Sequence, residues 1–197
     1  GEFSYAKQKL TRTNSFGTSI GVGNEVVQRA NNAASNYGTS GIHILDQPIT
    51  NKISSSGIYT FYASAGSVGK TITPMLFVLA DVDPNGSEKA RLIPAATGQA
   101  RTIEHEGFNR FEFDLQRETF GGVLGVASSL YFGWSSDSAV VSFSTNTSSN
   151  AFILSGVSAD QVGNYFSSLV PGRAYSMRAE FELEAVRGIT DPQSLAL

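Results

Sequence analysis

From Tyr175 to Ala185 apolar and polar side chains alternate without a break. Tyr175, Met177, Ala179, Phe181, Leu183 and Ala185 fall on one side; Ser176, Arg178, Glu180, Glu182 and Glu184 fall on the other. Successive strand side chains point to opposite faces, so this period of two predicts a strand with one face buried and one in water. Phe111, Phe113 and Leu115 alternate with Arg110, Glu112 and Asp114 in the same way. Residues 75–80 are apolar at every position, which predicts a strand covered on both faces or lying at an interface. Further strands are predicted at 41–45, 58–63, 90–94, 130–134, 139–144 and 151–154. Helical spacing is nearly absent. The best stretch is 24–34, with Val26, Val27 and Ala30 suitably placed, but Asn31 and Asn32 are poor helix formers and a strand or loop fits as well. A single turn at 158–162 can be capped by Ser158.

Gly, Ser, Asn and Pro clusters divide these segments every ten or so residues. Eight or nine strands at that spacing, with at most one or two short helices, predict an all-β fold: a two-sheet antiparallel β-sandwich of jelly-roll type. The expected buried faces carry Leu76, Phe77, Val78, Phe111, Phe113, Phe132, Phe143, Tyr175, Phe181 and Leu183. No internal repeat points to a propeller or solenoid. Residues 13–187 are expected to form one domain. Residues 1–12 read as an N-terminal tail opening on a cloning scar, Gly1-Glu2-Phe3, and residues 188–197 as a C-terminal tail or linker broken by Gly188 and Pro192.

Composition narrows the chemistry. The chain of 197 residues has no cysteine, so disulfides and Cys-ligated metals are excluded. Lys and Arg number 14 against 17 Asp and Glu, a net charge of −3 with no basic run, which argues against nucleic acid as a partner. No segment approaches the apolar length that membrane insertion as a helix needs.

Five features offer chemistry. Asp81-Val82-Asp83-Pro84-Asn85-Gly86 resembles the first half of a calcium loop and makes Asp81, Asp83 and Asn85 candidates for a structural calcium. The twelfth position, where such a loop closes with Glu, is Leu92, and a hairpin turn with Pro84 and Gly86 at its tip accounts for the segment better. No other cofactor is expected. Gly17-Thr18-Ser19-Ile20-Gly21 matches the string of a nucleophile elbow, but no strand-to-helix turn is predicted around Ser19. His43 and His105 have neither metal-ligand spacing nor an orienting acid, and both read as structural or surface histidines. Glu104, Glu106, Glu112, Asp114, Glu180, Glu182 and Glu184 supply carboxylates of the type a glycosidase needs, but the outer faces of strands, an edge strand for the last three, explain them more simply. The sequons Asn85-Gly86-Ser87 and Asn146-Thr147-Ser148 fall in predicted turns; they matter only in a secreted eukaryotic protein.

The aromatics are more informative. Tyr131 and Trp134 lead into a polar turn containing Asp137, while Asn36-Tyr37 and Asn164-Tyr165 put aromatics in Asn, Gly and Ser loops. Sugar rings pair apolar C–H faces with hydroxyl edges, so an aromatic platform beside Asn, Asp or Ser groups suits them. Asn36, Tyr37, Tyr131, Trp134, Asp137, Asn164 and Tyr165 are the candidate ligand-binding residues, although Trp134 lies on an apolar alternation that also suits the core.

The order Thr73-Pro74-Met75-Leu76-Phe77, a hairpin, Leu130-Tyr131-Phe132-Gly133-Trp134 and the strand from Ala174-Tyr175-Ser176 loosely resembles secreted jelly-roll domains between Gly41 and Ala185. Carbohydrate-binding modules and adhesin or phage receptor-binding heads are among them. The resemblance is architectural and implies no binding residue. The expected function is non-catalytic extracellular recognition of a glycan or cell-surface receptor, at a virion or cell surface, with weak contacts multiplied by valency. The alternative is a structural or assembly domain of a virion, tail fibre or adhesin, a homo-oligomer with apolar strand faces as interfaces. A hydrolase or lyase ranks third, since no nucleophile–base pair emerges.

Overall fold

The computed structural model describes residues 19–37, 40–86, 88–117 and 129–183. In chain order the elements are β1 (Ser19–Gly23), α1 (Ala34–Tyr37), β2 (Gly41–Leu45), β3 (Ile53–Ala63), β4 (Thr71–Val82), β5 (Lys89–Thr97), β6 (Arg101–Thr102), β7 (Gly107–Asp114), β8 (Gln116–Arg117), β9 (Leu130–Ser136), β10 (Phe143–Ser144), β11 (Asn150–Ser155), a 3-10 turn (Val162–Asn164), β12 (Ser167–Pro171), β13 (Ala174–Tyr175) and β14 (Met177–Leu183). The all-β, antiparallel expectation holds, and among the described residues only two short helical turns occur.

Two sheets matter most. The smaller runs β1-β14-β3-β7. The larger runs β6-β4-β9-β2-β11-β12-β5-β8, and β5 also pairs with β4. That extra ladder closes β4, β9, β2, β11, β12 and β5 into a six-stranded barrel, which is not the pair of open sheets that a jelly roll predicts. The closing strand is β4. It pairs with β9 over Ile72–Val78 and with β5 over Met75–Val82, and two register irregularities, between Leu76 and Phe77 and between Leu79 and Asp81, let it bend from one ladder to the other.

Side-chain alternation divides the apolar residues between two cores. Ile42 and Ile44 of β2, Met75 and Phe77 of β4, Leu92 of β5 and Val162 fill the barrel interior. Residues of the opposite parity face the smaller sheet: Leu45, Leu76, Phe132 and Trp134 meet Tyr59, Phe61, Phe111, Phe113 and Phe181 in the main core. Its centre is aromatic, with the Phe132 ring 6.2 Å from Tyr59, 6.3 Å from Phe113 and 5.9 Å from Phe181. Gly133 sits between the two cores on β9. A methyl there would strike the His43 carbonyl and the Phe77 ring, so the strands approach closely only because this side chain is missing.

The expected core is found with two adjustments, Val78 and Leu183 being only half-buried. Residues 75–80 do not stay covered throughout: Leu79 and Ala80 are exposed where β4 leaves the barrel wall as a hairpin arm. Residues 24–33 form no helix; they run as a loop whose Asn31 bridges to Phe143 and whose Ala33 bridges to Ala65, and α1 begins only at Ala34. The expected strand at 139–144 shrinks to β10 and a single bridge from Val141 to Ala63. At 158–162 a turn forms, the Gln161 N–H donating to the Ser158 carbonyl at 3.0 Å, and it runs on into the 3-10 turn at Val162.

Candidate functional site

The inner face of the smaller sheet is committed to the core, and its other face turns outward, walled on one side by the β5–β6 connection. Alternation fixes what stands there. β3 contributes Ser56, Ile58, Thr60 and Tyr62; β7 contributes Phe108, Arg110, Glu112 and Asp114; β14 contributes Arg178, Glu180 and Glu182. The register arranges them in rows across the strands. Tyr62 lies opposite Phe108. Thr60 lies between Arg178 and Arg110, Ile58 lies between Glu180 and Glu112, and Ser56 lies opposite Asp114. Neighbouring strands are about 4.8 Å apart, so the backbones of Glu112 and Glu180 are about 10 Å apart, with only Ile58 between them.

A groove of about 1050 Å³ lies over the acidic half of this face. Ser56, Gly57 and Ile58 make its floor, Glu112, Asp114, Glu180 and Glu182 its sides together with Arg110, and Thr97, Gly98, Gln99 and Arg101 of the β5–β6 connection a wall. Arg101 is held in place by its guanidinium, which stacks 4.4 Å from the centre of Phe111 and donates to the Glu112 carbonyl at 3.1 Å. Ser55 donates to Asp114 at 3.1 Å. Arg178 leans over Gly21, in space that only glycine leaves, with its Nε 3.5 Å from Glu180. Among the described residues neither Glu112 nor Glu182 has a cationic partner within ion-pair distance. At the far end the Phe108 ring is 58 % exposed and packs edge-on to Tyr62, centroids 5.8 Å apart. A phenylalanine exposed to this extent on a strand offers an apolar platform.

The residues singled out from the sequence lie elsewhere. Asn36 is exposed on α1, and the Tyr37 side chain lies outside the described residues. Asp137 is exposed and accepts from the backbone and hydroxyl of Thr71. These two segments belong to one end of the molecule: α1 bonds to Ala65, the 64–70 loop bonds onward to Val140 and Ile103, and Thr71, which follows it, bonds to Asp137. Tyr131 is half-buried against Phe152 at the barrel, and burial raises its phenol above the ordinary range. Asn164 and Tyr165 are exposed on the 3-10 turn beside β5. Trp134 is 1 % exposed, a core residue stacked on His43 and edge-on to Tyr175. Of the candidates whose side chains are described, Trp134 is in the core, and Asn36 and Asp137 lie at a different end from Tyr131 of the barrel.

The other motifs resolve as follows. Asp81 Oδ2 is paired with Arg91 at 2.9 Å, and Asp83 Oδ1 accepts the Asn85 N–H at 2.9 Å, so the Asp81–Gly86 oxygens serve the hairpin turn and its ladder. Among the described residues no group of three His, Asp or Glu side chains could hold a metal ion. Ser19 opens β1 opposite Glu182, an extended strand rather than a sharp turn. His105 is exposed, and Glu106 accepts the Gly66 N–H at 2.9 Å. His43 is buried, its Nδ1 2.8 Å from the Tyr175 hydroxyl, which also receives Arg173 at 3.3 Å. Burial first, and the Arg173 charge second, lower its pKa to about 4, so the ring is neutral at pH 7.

The sheet face escaped the sequence reading because β14 was expected at an edge. It lies inside the sheet between β1 and β3, so Glu180 and Glu182 face Glu112 and Asp114 across a floor. The signal was present in the shared polar parity of 110–114 and 178–182, but nothing local says the two strands flank the same partner. No protein-family model, curated protein or solved structure matches this chain.

Proposed function

We propose that this is a non-catalytic recognition domain that binds glycan on the outer face of the β1-β14-β3-β7 sheet. One observation carries the reading: an outward sheet face where a polar groove and an exposed aromatic pair lie on the same strands, β3 and β7. Carboxylates accept hydroxyl protons, guanidiniums and Ser or Thr hydroxyls complete the pairing, and a ring face receives the C–H side of a sugar. The site is built on strands, so it is largely preformed. Exposure at a cell or virion surface and multivalent display suit such weak, reversible contacts.

Retention on native gels containing soluble polysaccharides, together with a broad glycan array, tests this. The wild-type chain is expected to be retarded by at least one polysaccharide. Phe108→Ala should weaken that binding by up to about tenfold, the equivalent of an aromatic contact of about 1.4 kcal/mol, with little change in melting temperature. Absence of binding across both formats would contradict the proposal.

A second reading, assembly into a homo-oligomer, is favoured by a different region. Val82 pairs with Ala90, which also pairs with Ser167, so exposed Val82, Tyr165 and Phe166 gather around the β4–β5 arm near exposed Leu79. Exposed apolar residues grouped in this way suit a subunit contact. Sedimentation at micromolar concentration decides it: a strict monomer sinks this alternative.

A further inference from the structure

We infer that the occupant of this face is an internal stretch of a linear, uncharged polysaccharide, about four sugar rings long, lying along β3. The inference rests on the glycan reading above and specifies which glycan. From Ser56 to Tyr62 the strand advances six residues, about 20 Å at 3.3 Å per step, the length of roughly four rings end to end. Along that length the side chains change character row by row, from Ser56 and Asp114, through Ile58 with Glu112 and Glu180, then Thr60 with Arg110, to Tyr62 and Phe108. A single terminal sugar would meet one or two of these rows and leave the rest unused. A chain parallel to β3 meets all of them, ending on the exposed Phe108 ring.

Charge decides the class of polymer. The Ile58 row carries carboxylates on both flanks of β3, the Ser56 row carries Asp114, and Glu182 follows Glu180 on β14; Glu112 and Glu182 have no cationic partner among the described residues. A polyuronate or sulfated chain would place its anions against them. The next row carries Arg110 and Arg178, which oppose a polymer of protonated amino sugars. Carboxylates and guanidiniums can both hydrogen-bond sugar hydroxyls, so a neutral chain satisfies each row at no charge conflict.

Calorimetric titration with neutral oligosaccharides of one to six units (glucose-, mannose- and xylose-based series), plus a polygalacturonate oligomer, tests the assignment. The expected result is an affinity that rises at least tenfold between the disaccharide and the tetrasaccharide, then levels, in at least one neutral series. Phe108→Ala should shorten the rise by about one unit. A monosaccharide binding as tightly as the tetramer would overturn the length assignment, and tighter binding of the polygalacturonate would overturn the charge assignment, each leaving glycan recognition intact. Failure of every series, with no glycan held on the array either, would instead remove the parent reading and this one with it.

Discussion

His43 carries the clearest consequence at the scale of a single residue. Its ring is stacked on Trp134, bonded to Tyr175 and within the field of Arg173, in a pocket closed to water. Protonation would put a second positive charge beside Arg173 with no carboxylate to receive it. Its pKa falls from 6.5 to about 4 on folding, so between those values the unfolded chain binds more protons than the native one. Stability from this residue is therefore fully present above pH 6.5 and is lost as pH falls towards 4. The difference of about 2.5 units corresponds to about 3 kcal/mol. Urea unfolding at pH 7 and pH 4.5 checks this. Wild type should lose about 2–3 kcal/mol more between the two than His43→Phe does, and equal losses would show that the ring does not titrate as described.

Individual strands follow from residue pattern where one face is wet and the other dry. β14 was legible in full and β7 from Arg110 onward, because Met177, Ala179 and Phe181, and Phe111 and Phe113, alternate with charges, and burial follows that parity. β9 obeys a subtler rule, since both of its faces are covered and Gly133 marks where neighbouring backbone comes too close for a side chain. Gly133→Ala is expected to destabilise the domain by about 1–3 kcal/mol through overpacking, and Phe132→Ala by about 3–5 kcal/mol through the cavity left at the aromatic centre. Thermal denaturation of both variants tests the ranking. What was not legible is pairing. β1 hides in a Gly/Ser string because Gly21 and Gly23 have no side chains to alternate. β12 joins β5 by only two residue pairs, so the ladder that completes the barrel leaves almost no trace in sequence. Trp134 could be placed by parity as core, and it is; Phe108 could not be placed as exposed, because its strand begins at Gly107 and one residue of context does not define a face.

The proposed binding face exists only at the scale of the whole molecule. Its residues come from positions as distant as Ser19, Ser56, Glu112 and Glu182, and only the strand order β1-β14-β3-β7 sets them side by side. The barrel supports this face from behind, since the main core shared by the two sheets fixes which parity of β3, β7 and β14 turns outward. Tyr165 stands beside β5 and away from this face, so Tyr165→Ala should leave glycan binding unchanged. Ile58 is the residue on which the functional account turns, because it is the middle of the floor. Ile58→Arg would fill the groove yet stand between Glu112 and Glu180, two carboxylates that the fold can use to accommodate it. The decisive measurement is titration of wild type, Ile58→Arg and Tyr165→Ala with the neutral oligosaccharide bound best, alongside melting curves. The account predicts that Ile58→Arg folds with a near wild-type melting temperature and loses binding at least tenfold, while Tyr165→Ala binds as wild type does. Undiminished binding by a folded Ile58→Arg would contradict it.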